Sequence, residues 1–513
     1  MTLIDTHRGA PAETGVWDAG DVPARWPVRL AVALNVALTV WYFSWLIDLD
    51  HANNLWLYGA LLVAECFNVM QGAMFWWTVT NDRRHERAPA WTGPLPVVDV
   101  FIPVYNEPVD IVEPTIIAAT RLQGAHVTVH LLDDGKSDDM ARLARRHDVG
   151  YIRRSVNKGA KAGNINNALG ETSGDFVVVF DCDHVPKSHF LDATMGYFGN
   201  DDVAFVQTPQ YYANQSDSTI AAASAAQQEL FFGVISRGKA TRGAMFCCGT
   251  NVVFRRSALE SVGGFPEDSL TEDFALSVEL HERGWESRYV AEVLAVGLGP
   301  EDMSSYVSQQ MRWAQGCLGG IPRVLRSKLP LRQRLQYLSS GTYFLSGWTV
   351  MLYMSLPIMR LVFGVQPIGD VGTDEFLLHF GPYFVASLAT VAIASGGAFT
   401  FSAFALNSAT FWVHIRSLGR VVFRRRGSFV VTPKHGAAGR QLRPIRVTIA
   451  FAIALTVAIV VGLARDPSPS TFNNVAYAGL HLVVLACGAW PALVGDSLRP
   501  AQLSSVNSAE VAA

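Results

Sequence analysis

The sequence predicts an α/β domain inserted into an α-helical transmembrane bundle of about six spans. The first observation is composition: 50% of the 513 residues are hydrophobic and only 17% are charged, which is too apolar for an ordinary soluble protein. The second is arrangement, because long apolar stretches flank one central block with a different pattern. The net charge of -3 says little about partners, and we expect no nucleic acid among them.

The apolar stretches are the predicted spans, since crossing a membrane requires about 20 mostly apolar residues. They cover residues 28–47, 55–80, 338–365, 376–398, 447–463 and 475–494. The first stretch lies too far from the N-terminus, and lacks the cleavage pattern, for a signal peptide. The residues before it, 1–25, have no periodicity and are expected to form a disordered arm.

Basic residues indicate how these spans are oriented. They collect near residues 83–87, 323–334 and 416–446, whereas the loops on the opposite side are short and nearly devoid of Lys and Arg. The positive-inside rule then places both termini, the central block and a short tail at 499–513 in the cytosol. The sequence therefore predicts a multi-pass protein of the plasma (inner) membrane, embedded in the lipid bilayer.

The central block, residues 94–320, contains short apolar runs that alternate with helix-like segments. The runs cover residues 97–104, 126–132, 176–180 and 203–207. Such runs indicate the strands of a parallel sheet covered on both faces, and hence a nucleotide-binding α/β domain. The six cysteines show no CxxC spacing, so we expect neither disulfides nor structural zinc.

Polar residues follow three of these runs, at the edge where open α/β sheets bind their ligands. They are Tyr105 and Glu107 after the first run, Asp133 and Asp134 after the second, and Asp181, Asp183 and His184 after the third. Taken alone, Asp133 and Asp134 before Gly135 are typical of a turn. The repeated placement nevertheless predicts a binding site at this edge.

Asp181 and Asp183 form the sharpest local pattern in the block. Two carboxylates one residue apart at the end of an apolar run repel each other unless a positive charge lies between them. A hard divalent cation, bound by one or two carboxylates and by substrate phosphates, meets that need. We therefore predict a metal site here, the alternative being a solvated strand end.

Three other segments each have two interpretations. Lys161 begins a run of small residues from which a lysine reaches a diphosphate, or it is a solvated lysine at a helix start. Residues 247–251 are small and uncharged, and they shape either an acceptor surface or a buried turn. Thr271 precedes two acids, and either it caps the next helix, whose N-terminus the acids favour, or the acids are catalytic.

In combination these motifs resemble those of the processive family 2 glycosyltransferases of the bacterial cellulose synthase type. The matching stretches are residues 98–108, 160–164, 177–186, 206–209, 271–273, 309–313 and 429–434. The resemblance implies that the central block is a GT-A-type domain. It also implies that residues 321–498 hold four transmembrane helices, interfacial helices and a gating-like loop at 424–440.

The resemblance implies which residues bind the donor and carry out the reaction. Asp181 and Asp183 would position Mg²⁺ or Mn²⁺, with His184 nearby. Asp273, with Glu272 beside it, would be the general base that takes the proton of the acceptor hydroxyl. The nucleotide and its diphosphate would be held by Tyr105, Glu107, one or both of Asp133 and Asp134, Lys161, Asp181, Gln309 and Arg312.

Further residues are expected on the acceptor side and in the gate. Trp313 would stack on the terminal sugar of the chain, although a Trp beside an Arg is also common at membrane surfaces. Thr432 and Lys434 fall in the gating-like loop, which would close over the donor and exclude water. The acceptor surface would include Cys248, Gly249 and Thr250.

The expected function is processive, inverting synthesis of a β-glycan from UDP-glucose, cellulose or a cellulose-like β-1,4-glucan, with passage of the chain across the membrane. The same architecture could make another polymer: a mixed-linkage or β-1,3-glucan, a mannan or an N-acetylhexosamine polymer. A non-processive enzyme that glycosylates a lipid, and a transport or scaffold protein with a decayed domain, are the alternatives from other classes. The sequence does not identify a periplasmic or cell-wall partner.

The sequence departs from the family pattern in two places. Gln210 stands where the family commonly has His, and the FxCGS-type motif ends here in Thr250, which leaves the acceptor and the linkage open. In addition, only a short tail follows the last span, too short for a further domain of typical size. We therefore expect no cyclic-di-GMP regulation through this chain.

Overall fold

The computed structural model describes residues 25–80, 88–369, 371–424 and 439–495. Arg25 begins the first helix, whereas residues 1–24 of the predicted arm, the tail at 499–513 and residues 425–438 of the gating-like loop lie outside the described residues. Thr432 and Lys434 belong to that last segment, so their roles stay predictions.

Helices form most of the described chain. Leu49–His51 and Met195–Gly199 are 3-10 helices, and Glu229–Ser236 is a π-helix. The α-helices are α1 Arg25–Leu46, α2 Leu55–Val79, α3 Val109–Ala119, α4 Asp138–Arg146, α5 Ala160–Glu171, α6 Phe190–Thr194, α7 Thr219–Gln228, α8 Arg237–Thr241, α9 Arg256–Val262, α10 Glu272–Glu282, α11 Met303–Arg326, α12 Leu331–Tyr343, α13 Gly347–Phe363, α14 Thr373–Ala394, α15 Phe401–Ala409, α16 Phe411–Val422, α17 Leu442–Arg465 and α18 Pro469–Val494.

The strands form one large and one small sheet. They are β1 Val97–Val104, β2 His126–Asp133, β3 Gly150–Ile152, β4 Phe176–Val179, β5 Val185–Pro186, β6 Val203–Gln207, β7 Tyr211–Tyr212, β8 Val252–Arg255, β9 Glu286–Tyr289 and β10 Ala295–Gly297. The large sheet has the order β3-β2-β1-β4-β8-β6-β9, and the small one the order β5-β10-β7. The apolar runs at 97–104, 126–132, 176–180 and 203–207 are all strands, as predicted.

The prediction of a parallel sheet is wrong, because the sheet is mixed. β3, β2, β1 and β4 are parallel, but β8 is antiparallel to both of its neighbours, β4 and β6. β8 starts directly after the loop at 247–251, where β4 ends, so Val252 pairs with Val179 and the strand runs back. Its apolar residues are buried like those of a parallel strand, and composition therefore does not reveal the direction.

Hydrophobic clusters cover both faces of the large sheet. On β1, Val98, Val100 and Ile102 pack with α3, α4 and α6 on one face, whereas Phe101 packs with α5, α9 and α10 on the other. These residues are fully buried. This two-sided burial explains why the strands consist of continuous apolar runs.

The remaining helices form a bundle next to this domain. Among the described residues, α1, α2, α14, α17 and α18 are long and apolar enough to cross a membrane. The predicted span at 338–365 falls on α12 and α13, which together form a sixth candidate bent by 45°. The predicted span at 447–463 lies within the longer α17. Within the described residues, the bundle therefore offers five single-helix candidates and one bent pair.

Candidate active site

Asp181, Asp183 and His184 come together directly after β4. One ligand atom from each lies within 4.8 Å of the others, and Asp183 and His184 are buried. The His184 ring packs so closely on Gly297 of β10 that a Cβ there would lie 2.5 Å from it. Its Nδ1 lies 3.4 Å from an Asp183 oxygen. Two carboxylates and an imidazole in this space suit Mn²⁺, and the carboxylates alone suit Mg²⁺.

Lys161, in the first turn of α5, joins this cluster to the loop at 247–251. Its Nζ donates to Asp181 Oδ1 at 2.5 Å and to the Gly249 carbonyl at 2.7 Å. Although burial opposes its charge, the carboxylates of Asp181, Glu272 and Asp273 hold the pKa of Lys161 above its usual range. The lysine therefore stays charged at the centre of the site.

The loop at 247–251 is held against β4 by hydrogen bonds that follow from the strand register. Thr250 Oγ1 accepts from the Asp181 backbone N–H at 2.8 Å. Gln207, at the end of β6, accepts from the Cys248 N–H and donates to the Thr250 carbonyl, both at 2.8 Å. Gly249 has φ +83°, a conformation that glycine adopts without strain.

Asp273, the second residue of α10, lies across Gly249 from the acid cluster. A Cβ on Gly249 would be 3.1 Å from Asp273 Oδ2 and 3.8 Å from Lys161 Nζ. Burial and the neighbouring Glu272 carboxylate raise the pKa of Asp273 to about 7, although the Phe274 N–H, Lys161 and Arg312 act in the opposite direction. Asp181 and Asp273 therefore face one site, with Lys161 between them.

Close packing of α11 on α10 places Gln309 and Arg312 of α11 on the side of Asp273. A Cβ on Gly316 would overlap the Thr271 side chain at 2.1 Å, and one on Gly320 would lie 3.0 Å from the Phe274 ring. Gln309, Arg312 and Gly316 are three and four residues apart, so they share one face of α11. The Arg312 charge acts on Asp273, as expected from this alignment.

Thr271 does not cap α10 with its side chain. It occupies the N-cap position, but its hydroxyl forms no capping hydrogen bond, and Oγ1 is buried without a hydrogen-bond partner in the described chain. The Asp273 carboxylate instead accepts from the Phe274 N–H at 2.7 Å. The side chain of Thr271 serves as the surface on which Gly316 packs.

The residues predicted on the acceptor side surround the same loop. Gln309 donates to the Tyr212 hydroxyl at 3.4 Å, and half-buried Trp313 packs with Ala314, Leu318 and Phe344. Burial raises the pKa of the Cys248 thiol well above its usual range. Burial therefore favours the protonated thiol over the thiolate.

The loops after β1 and β2 lie against each other at the sheet edge. A Cβ on Gly135 would be 2.6 Å from the Asn106 side chain. Tyr105 is 48% exposed, and its N–H donates to Glu107 Oε2. The exposed Tyr105 ring leaves one face available to a base, which aromatic rings stack on.

Asp133 and Asp134 are both engaged within the protein. Asp133 is fully buried and accepts from the Ser137 N–H at 2.6 Å and the Tyr151 hydroxyl at 2.7 Å. Asp134 receives two hydrogen bonds of 2.6 Å from Arg154. These contacts order the loop. The role of Asp133 and Asp134 in nucleotide binding stays a prediction.

Several residues of the site escaped the sequence analysis. Gln207 and Gln210 hold the loop through Cys248, Arg154 fixes Asp134, and Gly316 sets the distance between α10 and α11. Gly316 was detectable in principle, because Gly316 and Gly320 four residues apart allow two helices to approach closely. The glutamine contacts depend on the pairing of β6 with β8, which no local pattern reveals.

The site can serve transfer of a group from a nucleoside diphosphate. Acids suited to a metal and a diphosphate lie on one side of Lys161, and an acid able to take a proton near neutral pH lies on the other. Together with a mixed α/β sheet whose loops converge at this edge, they are typical of a GT-A-type domain.

Comparison with known proteins finds similarity to one family. The profile of glycosyl transferase family group 2 matches residues 176–413. The cellulose synthase 1 catalytic subunit (UDP-forming) of Komagataeibacter xylinus is 31% identical over 453 residues, 84% of this chain and 60% of the relative. The corresponding UDP-forming subunit of Xanthomonas axonopodis pv. citri (strain 306) is 35% identical over 339 residues, 62% of this chain and 46% of the relative. The chain is therefore similar to family 2 glycosyltransferases and resembles cellulose synthase catalytic subunits.

Two further facts qualify the extent of the similarity. The chain spans less than two thirds of the length of these relatives. A mannosyltransferase from Pyrobaculum calidifontis, solved in complex with GDP-Man and Mn²⁺, shares the fold with a TM-score of 0.50 at 17% identity, over 77% of this chain and 100% of that one.

Proposed function

We propose that the chain is a membrane-embedded, processive, inverting β-glycosyltransferase. It takes glucose from UDP-glucose, makes cellulose or a cellulose-like β-1,4-glucan, and passes the polymer across the plasma membrane. The cellulose synthase relatives, whose names include UDP-forming, support the donor and the product.

The observation that carries the proposal is the convergence on Gly249. Lys161 binds both Asp181 and the Gly249 carbonyl, while Asp273 lies in contact range of the same glycine. The donor diphosphate and the acceptor hydroxyl would therefore meet within a few ångströms of this residue. A transferase needs this arrangement, because both reactants must be held close to each other.

Asp181, Asp183 and His184 would hold a divalent ion, as their donor set fits one. The structurally similar mannosyltransferase was solved with Mn²⁺, which supports a metal of this kind. When bound, the ion neutralises charge on the departing diphosphate. Tyr105, Glu107, Lys161 and Arg312 would surround the nucleotide and its phosphates.

In the proposed reaction, Asp273 acts as the general base. The acceptor hydroxyl oxygen attacks the anomeric carbon while the bond from that carbon to the diphosphate oxygen breaks. The hydroxyl proton passes to an Asp273 carboxylate oxygen, and UDP leaves with the bonding electron pair. One displacement converts an α-linked donor into a β-linked product, and a pKa of about 7 suits a base that works near neutral pH.

The acceptor would lie between Trp313 and the loop with Cys248, Gly249 and Thr250. From there the polymer would enter the helical bundle, whose candidate spans α1, α2, α14, α17 and α18 support a membrane location. The described end of the gating-like segment lies beside α11. Gln441, just after that segment, accepts from the Ser304 N–H at 2.9 Å at the start of α11.

Purified protein incubated with a panel of UDP- and GDP-sugars tests the function. We expect UDP-glucose to give a polymer that β-1,4-specific glycanases digest. Asp273→Asn should lower synthesis by about 10²- to 10⁴-fold and leave nucleotide binding nearly unchanged. Asp268→Asn removes the same charge from an exposed position five residues earlier and should retain activity.

Each other result has a definite meaning. Synthesis retained in Asp273→Asn removes the assignment of the base. A polymer made from another sugar changes the donor and keeps the mechanism. A single sugar attached to a lipid replaces the processive enzyme with a non-processive one.

A further inference from the structure

A basic surface lies away from the active site, where α8, α12 and the end of α2 meet. The Arg242 guanidinium stacks on the Trp77 ring, 3.9 Å from its centroid, and also donates to the Trp77 carbonyl. Exposed Arg332, at the start of α12, is the charged residue that acts on Arg242. We call Trp77, Arg242 and Arg332 the arginine pair site.

The pairing of α2 with α12 shows where this site lies along the helices of the bundle. Gln71 on α2 donates to Thr342 on α12 at 2.9 Å, and Gln336 donates to Thr78 at 2.9 Å. The two helices therefore run antiparallel, and Arg332 lies about one turn beyond the end of α2. If α2 crosses the membrane as proposed, the arginine pair site lies at its cytosolic surface.

The charges of the site are unbalanced within the described chain. None of the ion pairs formed among the described residues includes Arg242 or Arg332. Burial and the neighbouring Arg332 charge both lower the pKa of Arg242. Its Nε is buried and lacks a hydrogen-bond partner in the part of the chain that is described. Two neighbouring guanidinium groups with no ion-pair partner among the described residues fit an anion.

The surroundings indicate what carries that anion. Leu331 and Leu335, on both sides of Arg332, are 67% and 37% exposed. Leu335 lies on the bundle side of Arg332, so it is suited to contact acyl chains below a bound phosphate, whereas free phosphate gains nothing from it. Aromatic residues such as Trp77 are also enriched at the membrane surface.

We propose that Arg242 and Arg332, beside Trp77, bind the headgroup of an anionic phospholipid at the cytosolic face of the membrane. The proposal rests on the membrane placement in the proposed function, and it adds a lipid site to it. Arg242 is followed by Gly243, whose carbonyl accepts from Gln333 of α12 at 2.7 Å. Cys248 of the acceptor loop lies only six residues after Arg242, so the bound lipid would steady that loop.

Native mass spectrometry of the detergent-purified full chain tests the site, with phosphatidylglycerol and phosphatidylcholine as probes. We expect phosphatidylglycerol to be retained, and its affinity to fall about 5-fold in Arg332→Gln and about 30-fold in Arg242→Gln/Arg332→Gln, at about 1 kcal/mol for each arginine. Arg142→Gln/Arg145→Gln on α4 removes two exposed arginines at the far edge of the sheet and should retain the lipid.

Equal retention of phosphatidylglycerol by all variants overturns the proposal, as does equal retention of phosphatidylcholine, which would show an apolar contact only. Displacement by inorganic phosphate alone, without lipid preference, overturns it as well. Arg332 is exposed, so Arg332→Gln is expected to fold. Arg242→Lys keeps the positive charge but loses the planar group that stacks on Trp77, so it separates the two contributions. Carbonate extraction of membranes tests the membrane placement separately, so the two failures are distinguishable.

Discussion

Asp273 shows how a single carboxylate acquires the proton affinity that its proposed role requires. Burial raises the pKa of Asp273 most, the neighbouring Glu272 carboxylate raises it further, and Lys161 and Arg312 lower it. The balance leaves the pKa at about 7, more than two units above an ordinary aspartate. The charges of Glu272, Lys161 and Arg312 can each be removed by a substitution that leaves Asp273 itself in place.

Glu272→Gln is expected to shift the pH profile without removing the base. Loss of the neighbouring negative charge lowers the pKa of Asp273, so more of it is deprotonated in acid. Below about pH 7 the wild-type kcat/KM should fall about tenfold per unit, and in the variant this fall should begin at lower pH. The measurement is kcat/KM for polymer synthesis from pH 5 to 9.

Arg145→Gln provides the comparison, because it changes the charge on α4 far from the site and should leave the profile unmoved. If Glu272→Gln lost activity equally at every pH, Glu272 would act on substrate directly. In that case its effect on Asp273 would not be its main role.

Thr250 illustrates what a departure from a family motif means at the level of atoms. From the sequence, the identity of the acceptor is open because Thr stands where the motif has Ser. In the structure the hydroxyl accepts from the Asp181 N–H, and serine carries the same group. The replacement therefore keeps the contact that positions Asp181, and only the added methyl group differs.

At the level of elements, the site depends on how closely α11 approaches the start of α10. Gly316 lies against Thr271, directly before Glu272 and Asp273, and Gly320 lies against Phe274. Because α11 also carries Gln309, Arg312 and Trp313, its distance from α10 sets the position of three predicted site residues at once. A side chain at position 316 would increase that distance.

Gly316→Ala is therefore expected to impair both stability and catalysis. The new Cβ would lie 2.1 Å from a Thr271 methyl carbon, so the helices must separate, at a cost of about 1–3 kcal/mol. We expect a lower unfolding temperature and a reduced kcat. Both are measured on the purified protein, by fluorescence and by product release.

Gly319→Ala is the matched control on the same helix. No described atom lies within 4 Å of its added Cβ, and alanine favours a helix over glycine by about 0.5–1 kcal/mol. This variant should be as stable as wild type or more stable, with unchanged kcat. An equal loss of kcat in both variants would contradict the packing argument.

The elements also show which parts of the fold the sequence could predict. Strands such as Val97–Val104 and Val203–Gln207 were predictable because their buried residues are consecutive. The direction of β8 was not, since burial does not depend on strand direction. The metal cluster was predictable from the spacing of Asp181 and Asp183, whereas the Lys161 to Asp181 contact spans 20 residues and depends on how α5 packs on the sheet.

At the scale of the whole molecule, the α/β domain and the helical bundle share structural elements. α11 packs on α10 of the domain and continues through α12 into α13, the pair that is bent by 45°. Lys239 of α8 is buried and donates to the Gln336 carbonyl of α12 at 2.6 Å. The α/β domain and the bundle are therefore joined by packed helices.

The proposed orientation predicts which surfaces an impermeant maleimide reaches in intact cells. Asn53, in the short turn before α2, is exposed, as is Arg145 on α4 of the domain. In a background where the native cysteines are replaced by serine or alanine, Asn53→Cys should be labelled from outside and Arg145→Cys only after the cells are opened. The reason is that the basic segments lie on the domain side of the bundle. Labelling of both positions in intact cells, or the reverse pattern, would place the domain outside the cytosol, where UDP-glucose is not supplied, and would contradict the proposed function.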